Sequence, residues 1–364
     1  MKEMKKNILI AILMMASLLQ GCVKTEYAPT PDKEVTFAVG CYATQTTAGP
    51  ESMLDVDGGV ESFSSMGYLH AEGYESISQP LFGSAGETVK WDETNELWAP
   101  EHTYYWPKSP NSYVNFVSWY DKNGAPGTVS ETSLVWTIDG STRSLAADDN
   151  IMFADEVWHY KQNNSPATYG FDNVTEGVPT LFHHALAKMQ FRIRATEGSL
   201  DGNVSITVKD FVVENIYKTG TLSLTNSDPA NDATPVTGPT TKAWSNTWTV
   251  GSSVDTLKGY PTSVALTEAY QPLTPLRSVI PQGVTNILVK FKYDITTSID
   301  ANNSISETVP VSVNLSSFTA NPLTWNKIYT FSITINPALV EIQVDPSGIS
   351  NWVENAMQKI TVNE

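Results

Sequence analysis

Tyr329-Thr-Phe-Ser-Ile-Thr-Ile335 decides the fold. Tyr329, Phe331, Ile333 and Ile335 alternate with Thr330, Ser332 and Thr334. Successive side chains of a strand point to opposite faces, so this pattern buries one face and wets the other. A helix would repeat near every 3.6 residues, and no long stripe of that period occurs. Working outward, the same alternation returns. Val309, Val311, Val313 and Leu315 share a face. Ile287, Val289, Phe291 and Tyr293 share another, with Lys290 and Lys292 opposite. Val204, Ile206 and Val208 alternate with Ser205, Thr207 and Lys209, and Met189, Phe191 and Ile193 with Gln190, Arg192 and Arg194. Near the start, Val35, Phe37, Val39 and Cys41 fall on one side of a first strand. Short one-sided strands separated by Gly, Pro, Asn and Asp clusters predict an all-β chain of antiparallel sheets packed as β-sandwiches.

The chain has 364 residues, enough for about two domains with separate cores. The turn-rich stretch Thr196 to Asn203 (TEGSLDGN) is the expected boundary, giving domains at 34–196 and 197–364. Polar segments at Thr225 to Lys242 and Thr296 to Glu307 read as surface loops.

The beginning of the chain reads differently. Lys2, Lys5 and Lys6 precede an apolar run, Asn7 to Leu19, that is too short to span a bilayer. The run ends in Leu19-Gln20-Gly21-Cys22, which resembles a bacterial lipobox. Residues 1–21 are thus expected to be a lipoprotein signal peptide removed before Cys22, whose thiol carries the lipid through a thioether. Residues 22–33, polar with two prolines, form a flexible tether. Two or more acyl chains anchor a protein durably. The protein is therefore expected at a membrane, held by covalent lipid on Cys22 and not by a spanning segment.

The net charge is −17 for the whole chain. An acidic surface argues against nucleic acid as a partner. With Cys22 lipidated, Cys41 has no partner for a disulfide, and its phase with Val39 makes it a small buried apolar residue. Motifs for catalysis are missing: there is no Gly-x-Ser-x-Gly, His-Glu-x-x-His, phosphate-binding loop or paired-cysteine site. His183 and His184 are adjacent, so on a strand they face opposite ways and cannot share an ion. Asp148, Asp149 and Asp155 flank a short apolar strand and read as turn residues. Asp55-Val-Asp57-Gly58 and Asp300-Ala-Asn302-Asn303 hint at calcium loops but lack the distal glutamate of an EF-hand. No cofactor, metal or enzymatic activity is expected. Trp91, Trp98, Tyr104, Tyr105 and Trp106 crowd together, either as a platform for a glycan or partner subunit or as core filling; the second is favoured.

Several segments together carry a family resemblance. They are Glu34-Val-Thr-Phe-Ala-Val-Gly40, Tyr104-Tyr105-Trp106-Pro107 followed by the strand Tyr113 to Tyr120, Asp149 to Asp155, Pro179 to Phe191, Ile280-Pro-Gln282, Trp325 to Tyr329 and Trp352. In this order they resemble the fimbrillin family. The resemblance implies two transthyretin-like β-sandwich domains and a surface lipoprotein of the outer membrane, with a role in fimbriae of the type V kind and in adhesion. It further implies that a trypsin-like protease removes the tether with the first strand, opening a groove that the C-terminal strand of another fimbrial subunit fills. Candidate donor residues are Val340, Ile342 and Val344, or Ile360 and Val362. The alternative is a non-polymerising surface lipoprotein that binds a glycan or host surface ligand. One departure stands out. Family members that are processed commonly carry an arginine just after the first strand, where this chain has Gln45, and no Lys or Arg occurs between Lys33 and Lys90.

Overall fold

The computed structural model describes residues 33–41, 54–55, 58–75, 77–83, 86–169, 176–200, 202–226, 240–258, 262–336, 341–345 and 349–351. Leu19 to Cys22, Gln45, Val340, Ile360 and Val362 lie outside these residues. The regular structure of the described chain is strand throughout, apart from 3-10 turns at Pro166–Tyr169 and Leu315–Ser317.

Seven strands of the first half pair in a closed ring. They are β1 (Phe37–Cys41), β2 (Ser62–His70), β3 (Glu87–Asp92), β4 (Leu97–Pro100), β5 (Tyr113–Asp121), β6 (Ile151–Ala154) and β7 (Val178–His184). The pairing runs β5-β6-β7-β1-β4-β3-β2 and returns to β5 through β2, whose residues 64–70 face 119–113. Every strand sends apolar side chains inward: Phe37 and Val39, Phe63, Val89, Trp98, Val114 and Phe116, Met152, Val178 and Phe182. Closing a sheet on itself leaves no free edge along the ring.

A second layer covers part of the outside. Ser133–Ile138 pairs with Gly220–Thr225, which pairs with Ser245–Val250. Between this sheet and the ring lie Val117, Trp119, Ile151 and Phe153, packed with Leu134, Trp136, Leu222 and Leu224. This explains why β5 is apolar on both faces. The strands at 220–225 and 245–250 follow the expected boundary at Thr196–Asn203 in sequence, yet they cover first-half strands. Trp244 and Trp248 fix them, donating from Nε1 to the carbonyls of Ala154 and Ala185, each at 2.8 Å. At the same seam Glu156 is fully buried, its Oε2 accepting from Asn226 Nδ2 at 2.8 Å. Burial pushes its carboxyl up to about 8.

The second half packs one sheet on another. One contains β8 (Ala187–Ala195), flanked by Arg277–Val279 and Gln271–Pro272 on one side and by the strand Lys327–Asn336 on the other. The other contains β9 (Val204–Tyr217), β10 (Leu288–Ser298) and β11 (Ser304–Asn314), in that order. Strand β12 is Lys327–Asn336, followed at its far edge by β13 (Glu341–Asp345) and Ile349–Asn351. The core holds Met189, Phe191 and Ile193 of β8, Val289, Phe291 and Tyr293 of β10, and Tyr329, Phe331, Ile333 and Ile335 of β12. These are the faces read from alternation. In β9 the alternation breaks twice: Ile206 and Val208, then Phe211 and Val213, then Ile216 point inward. Asp210 and Asn215, with φ of 54° and 65°, supply an extra residue at each break. Asp and Asn tolerate this left-handed conformation better than most residues, and a bulge resets the phase of the strand.

One sequence expectation needs correcting. The described pairings are antiparallel except two, β1 with β7 and β8 with β12, which are parallel. One-sided alternation fixes which face is buried and says nothing of the direction of a distant neighbour, so both pairs escaped it.

Candidate functional site

The site is the slot that the first strand fills. Strand β1 runs parallel to β7, with Phe37 opposite Val178 and Cys41 opposite Phe182. On its other side it meets β4 at one position, Phe37 opposite Trp98. Just before the strand, Val35 N donates to the Tyr104 carbonyl and Val178 N donates to the Thr36 carbonyl, each at 2.8 Å. Val35, Phe37 and Val39 are buried in the ring core, as their alternation predicts. Ala38 and Gly40 are buried on the other face, where only small residues stand. Phe37 meets the edges of Phe63 and Phe116, with centroids 5.6 and 5.7 Å away. Edge-to-face contacts of this kind add about 0.5–1.5 kcal/mol beyond area burial.

Gly177 shapes the slot, and the sequence reading missed it. Its φ is +108°, and a Cβ there would lie 2.9 Å from Ala38 N and Phe37 C. Its carbonyl accepts from Tyr160 Oη at 2.9 Å, which fixes the turn into β7. Only glycine satisfies both the dihedral and the close approach. A glycine placed just before a strand that must receive a neighbour was the available signal.

The stretch Tyr104-Tyr105-Trp106-Pro107 borders the slot through Tyr104. Tyr104 supplies the carbonyl for Val35, packs on Phe82 with centroids 4.6 Å apart, and donates from Oη to Glu87 Oε2 at 2.9 Å. Trp106 is buried against Phe116 and Tyr160. Burial pushes the Glu87 carboxyl up, but donation from the His102 and Tyr104 side chains outweighs it and the net shift is downward. The same contact holds His102 above its usual value.

The profile of the fimbrillin-like family matches residues 74–352, more than three quarters of the sequence. The chain belongs to the fimbrillin-like family. Among solved structures, a fimbrial protein from Bacteroides vulgatus ATCC 8482 is similar at 15% identity, over 88% of this chain and 100% of that one, with a TM-score of 0.55. A Bacteroides uniformis ATCC 8492 protein, provisionally assigned to cell adhesion, is similar at 16% identity over 88% and 98%, with a TM-score of 0.47. At such identities the first likeness speaks to fold alone. No match is found among curated proteins.

In this fimbrillin-like protein the crowded aromatic residues belong to the interior. Trp98 is fully buried, Trp91 packs on it with centroids 5.8 Å apart, and only Tyr105 of the group is exposed. His183 and His184 have separate partners: His183 Nε2 lies 2.9 Å from Asp155 Oδ1, and His184 Nδ1 lies 2.8 Å from Asn150 Oδ1. Asp149 corrects its reading as a turn residue. It is fully buried and takes both terminal nitrogens of Arg143 at 2.9 Å, while Arg143 also meets buried Asp121 at 2.6 Å. This ion pair was invisible in sequence because its members lie 6 and 22 residues apart across two loops. The Asp300 loop is closed by its own groups, Oδ1 accepting from the backbone N–H of Asn302 and Asn303. Among the described residues no group of three or more His, Cys, Asp or Glu is placed to hold a metal.

Of the candidate donor residues, Ile342 and Val344 lie on β13, opposite Ile335 and Ile333 of β12 in the same chain.

Proposed function

We propose that this fimbrillin-like protein is a non-catalytic surface lipoprotein, lipidated at Cys22, and that it serves fimbriae as a subunit or as an accessory or anchor component. The exchangeable element is β1. One observation carries this reading: β1 is a five-residue stave between β7 and β4 whose loss would open the ring. Its removal would expose pockets for Val35, Phe37 and Val39, worth about 1.5–3 kcal/mol each when fully buried. It would also leave two unpaired edges, which main-chain hydrogen bonds from another subunit could satisfy.

Gln45 decides which role applies. With no Lys or Arg between Lys33 and Lys90, a protease specific for basic residues has no target after β1. Cleavage at Lys24 or Lys33 would free the lipid and leave the strand in place. A subunit that keeps β1 cannot accept a strand but can still donate one, so it ends a chain. Donation would require β13 or the segment beyond it to leave its own chain.

The test compares trypsin-treated wild type with Gln45→Arg on a denaturing gel without boiling. The variant is expected to form ladders and the wild type none. Ladders from treated wild type would show an ordinary stalk subunit and refute the chain-ending role.

A further inference from the structure

A carboxyl, a carboxamide and an amine gather at the seam where Glu156 is buried. The strand Glu156–Tyr160 pairs with β5 along one edge and with Thr240–Lys242 along the other. Glu156 stands opposite Lys242, and Trp158 opposite Thr240. Directly opposite residues share a face, with Cβ atoms about 4.5–5.5 Å apart. Lys242 Nζ lies 3.9 Å from the centroid of the Trp158 ring, on the face that Glu156 shares. The third group comes from the covering layer. Asn226 follows the strand Gly220–Thr225 and donates from Nδ2 to Glu156 Oε2 at 2.8 Å. Its backbone N–H donates to the Thr132 carbonyl at 3.0 Å, which pins the residue in place.

A carboxyl at this position is costly for the fold. Glu156 and Trp158 are both fully buried. Burial is the largest influence on the Glu156 carboxyl and pushes it up, while the charge of Lys242 pulls the other way. Surroundings of low polarity favour a neutral acid beside a neutral amine over an ion pair. A carboxyl that destabilises the fold, yet is held against an amide and beside an amine, fits a chemical task better than a packing one.

We propose that Lys242 and Asn226 become joined by an isopeptide bond, with Glu156 as the acid and base of the step. Glu156 takes a proton from the Lys242 ammonium and frees the Nζ lone pair. A half-turn of the Asn226 carboxamide brings Oδ1 to the Glu156 acid. Nζ then attacks Cγ, and the acid donates to the oxyanion that forms on Oδ1. Nδ2 takes one proton from Nζ, the Cγ–Nδ2 bond breaks, and ammonia leaves with the proton that Glu156 held. The sum is lysine ammonium plus carboxamide giving secondary amide plus ammonium ion. Glu156 returns unchanged, and no oxidant or cofactor is consumed. The reaction occurs once per chain. It ties the covering strand at Asn226 to the edge strand at Lys242, and it is independent of the lipid and of the β1 slot.

Mass spectrometry of the protein purified from cells, denatured and cut with trypsin, tests the bond. Trypsin cuts after lysine, so an unlinked chain yields separate peptides 219–242 and 243–258. An amide on Nζ blocks the cut after Lys242. The linked chain is expected to yield one peptide, 219–258, lighter by one ammonia than its sequence. Further cutting before Asp228 and Asp232 should leave the piece with Asn226 still attached to the piece with Lys242. Glu156→Gln should restore peptide 219–242 at its full mass. Should that variant fail to melt cooperatively, Glu156→Asp keeps the acid but shortens its reach, and most of the chain should be unlinked. Complete cutting after Lys242 in wild type, with no loss of ammonia, overturns the proposal. Linkage of Lys242 to another residue overturns the role of Asn226, and undiminished linkage in the Glu156 variants overturns that of Glu156.

Discussion

Among the described residues each half of the molecule contains one parallel strand pair, and the two pairs are held with unequal strength. In the second half β8 and β12 match over nine positions, and β12 is covered at its other edge by β13 and Ile349–Asn351. In the first half β1 matches β7 over five positions and touches β4 at one. Both strands fill a core from near one end of the chain. The first is a light insert and the second is a beam. Apolar burial alone does not make a strand integral; the number of ladder positions on both edges decides whether it can leave by itself.

Two phenylalanines break or sharpen this comparison most directly. Phe331→Ala in β12 should cost about 3–5 kcal/mol of global stability in denaturant, the usual range for a buried phenylalanine. Phe37→Ala in β1 removes a side chain of equal burial, but its global cost should be smaller, because the strand can detach while the rest stays folded. Amide exchange in residues 35–41 should rise sharply in that variant. Equal global losses for the two would sink the distinction.

Gly177→Ala should act at the slot itself. A Cβ forced against the β1 backbone, at a dihedral that side chains avoid, should cost about 1–3 kcal/mol. The loss should be read in β1 alone; unchanged exchange protection at 35–41 would mean the slot adjusts without expelling the strand.

Glu156 probes the seam where second-half strands complete the first half. Its folded carboxyl titrates near 8 because of burial, above the ordinary value of 4.5. The folded state therefore holds the proton more tightly, so this contribution is full below about 4.5 and is lost as pH rises toward 8. The slope is at most about 1.4 kcal/mol per pH unit. Glu156→Gln should melt higher relative to wild type at pH 8 than at pH 5. A constant difference would show that the carboxyl titrates normally.

Much of this architecture was legible in local pattern. Alternation located β8, β10 and β12 and chose their core faces, and it placed Val35, Phe37 and Val39 inside. The tetrapeptide at Tyr104 was readable as a motif, though the bond from Val35 to the Tyr104 carbonyl was not. What stayed hidden was non-local or irregular. Strand direction between residues far apart leaves no local trace. The bulges at Asp210 and Asn215 reset a phase that alternation assumes to be constant. Gly177 is required by a neighbour far away in sequence. Trp244 and Trp248 look like ordinary aromatic residues of a loop and a strand until their indole N–H groups are found on the carbonyls of Ala154 and Ala185.

The parallel pairing of β1 also fixes an order of events. Phe37 lies opposite Val178, so 141 positions separate the partners. Closing a flexible loop of that length costs about 4 kcal/mol in chain entropy. Before β7 has been made, β1 has a ladder partner at one of its positions alone, Phe37 opposite Trp98. During synthesis the ring must therefore pass through a stage in which its staves exist and its closing stave is still unplaced.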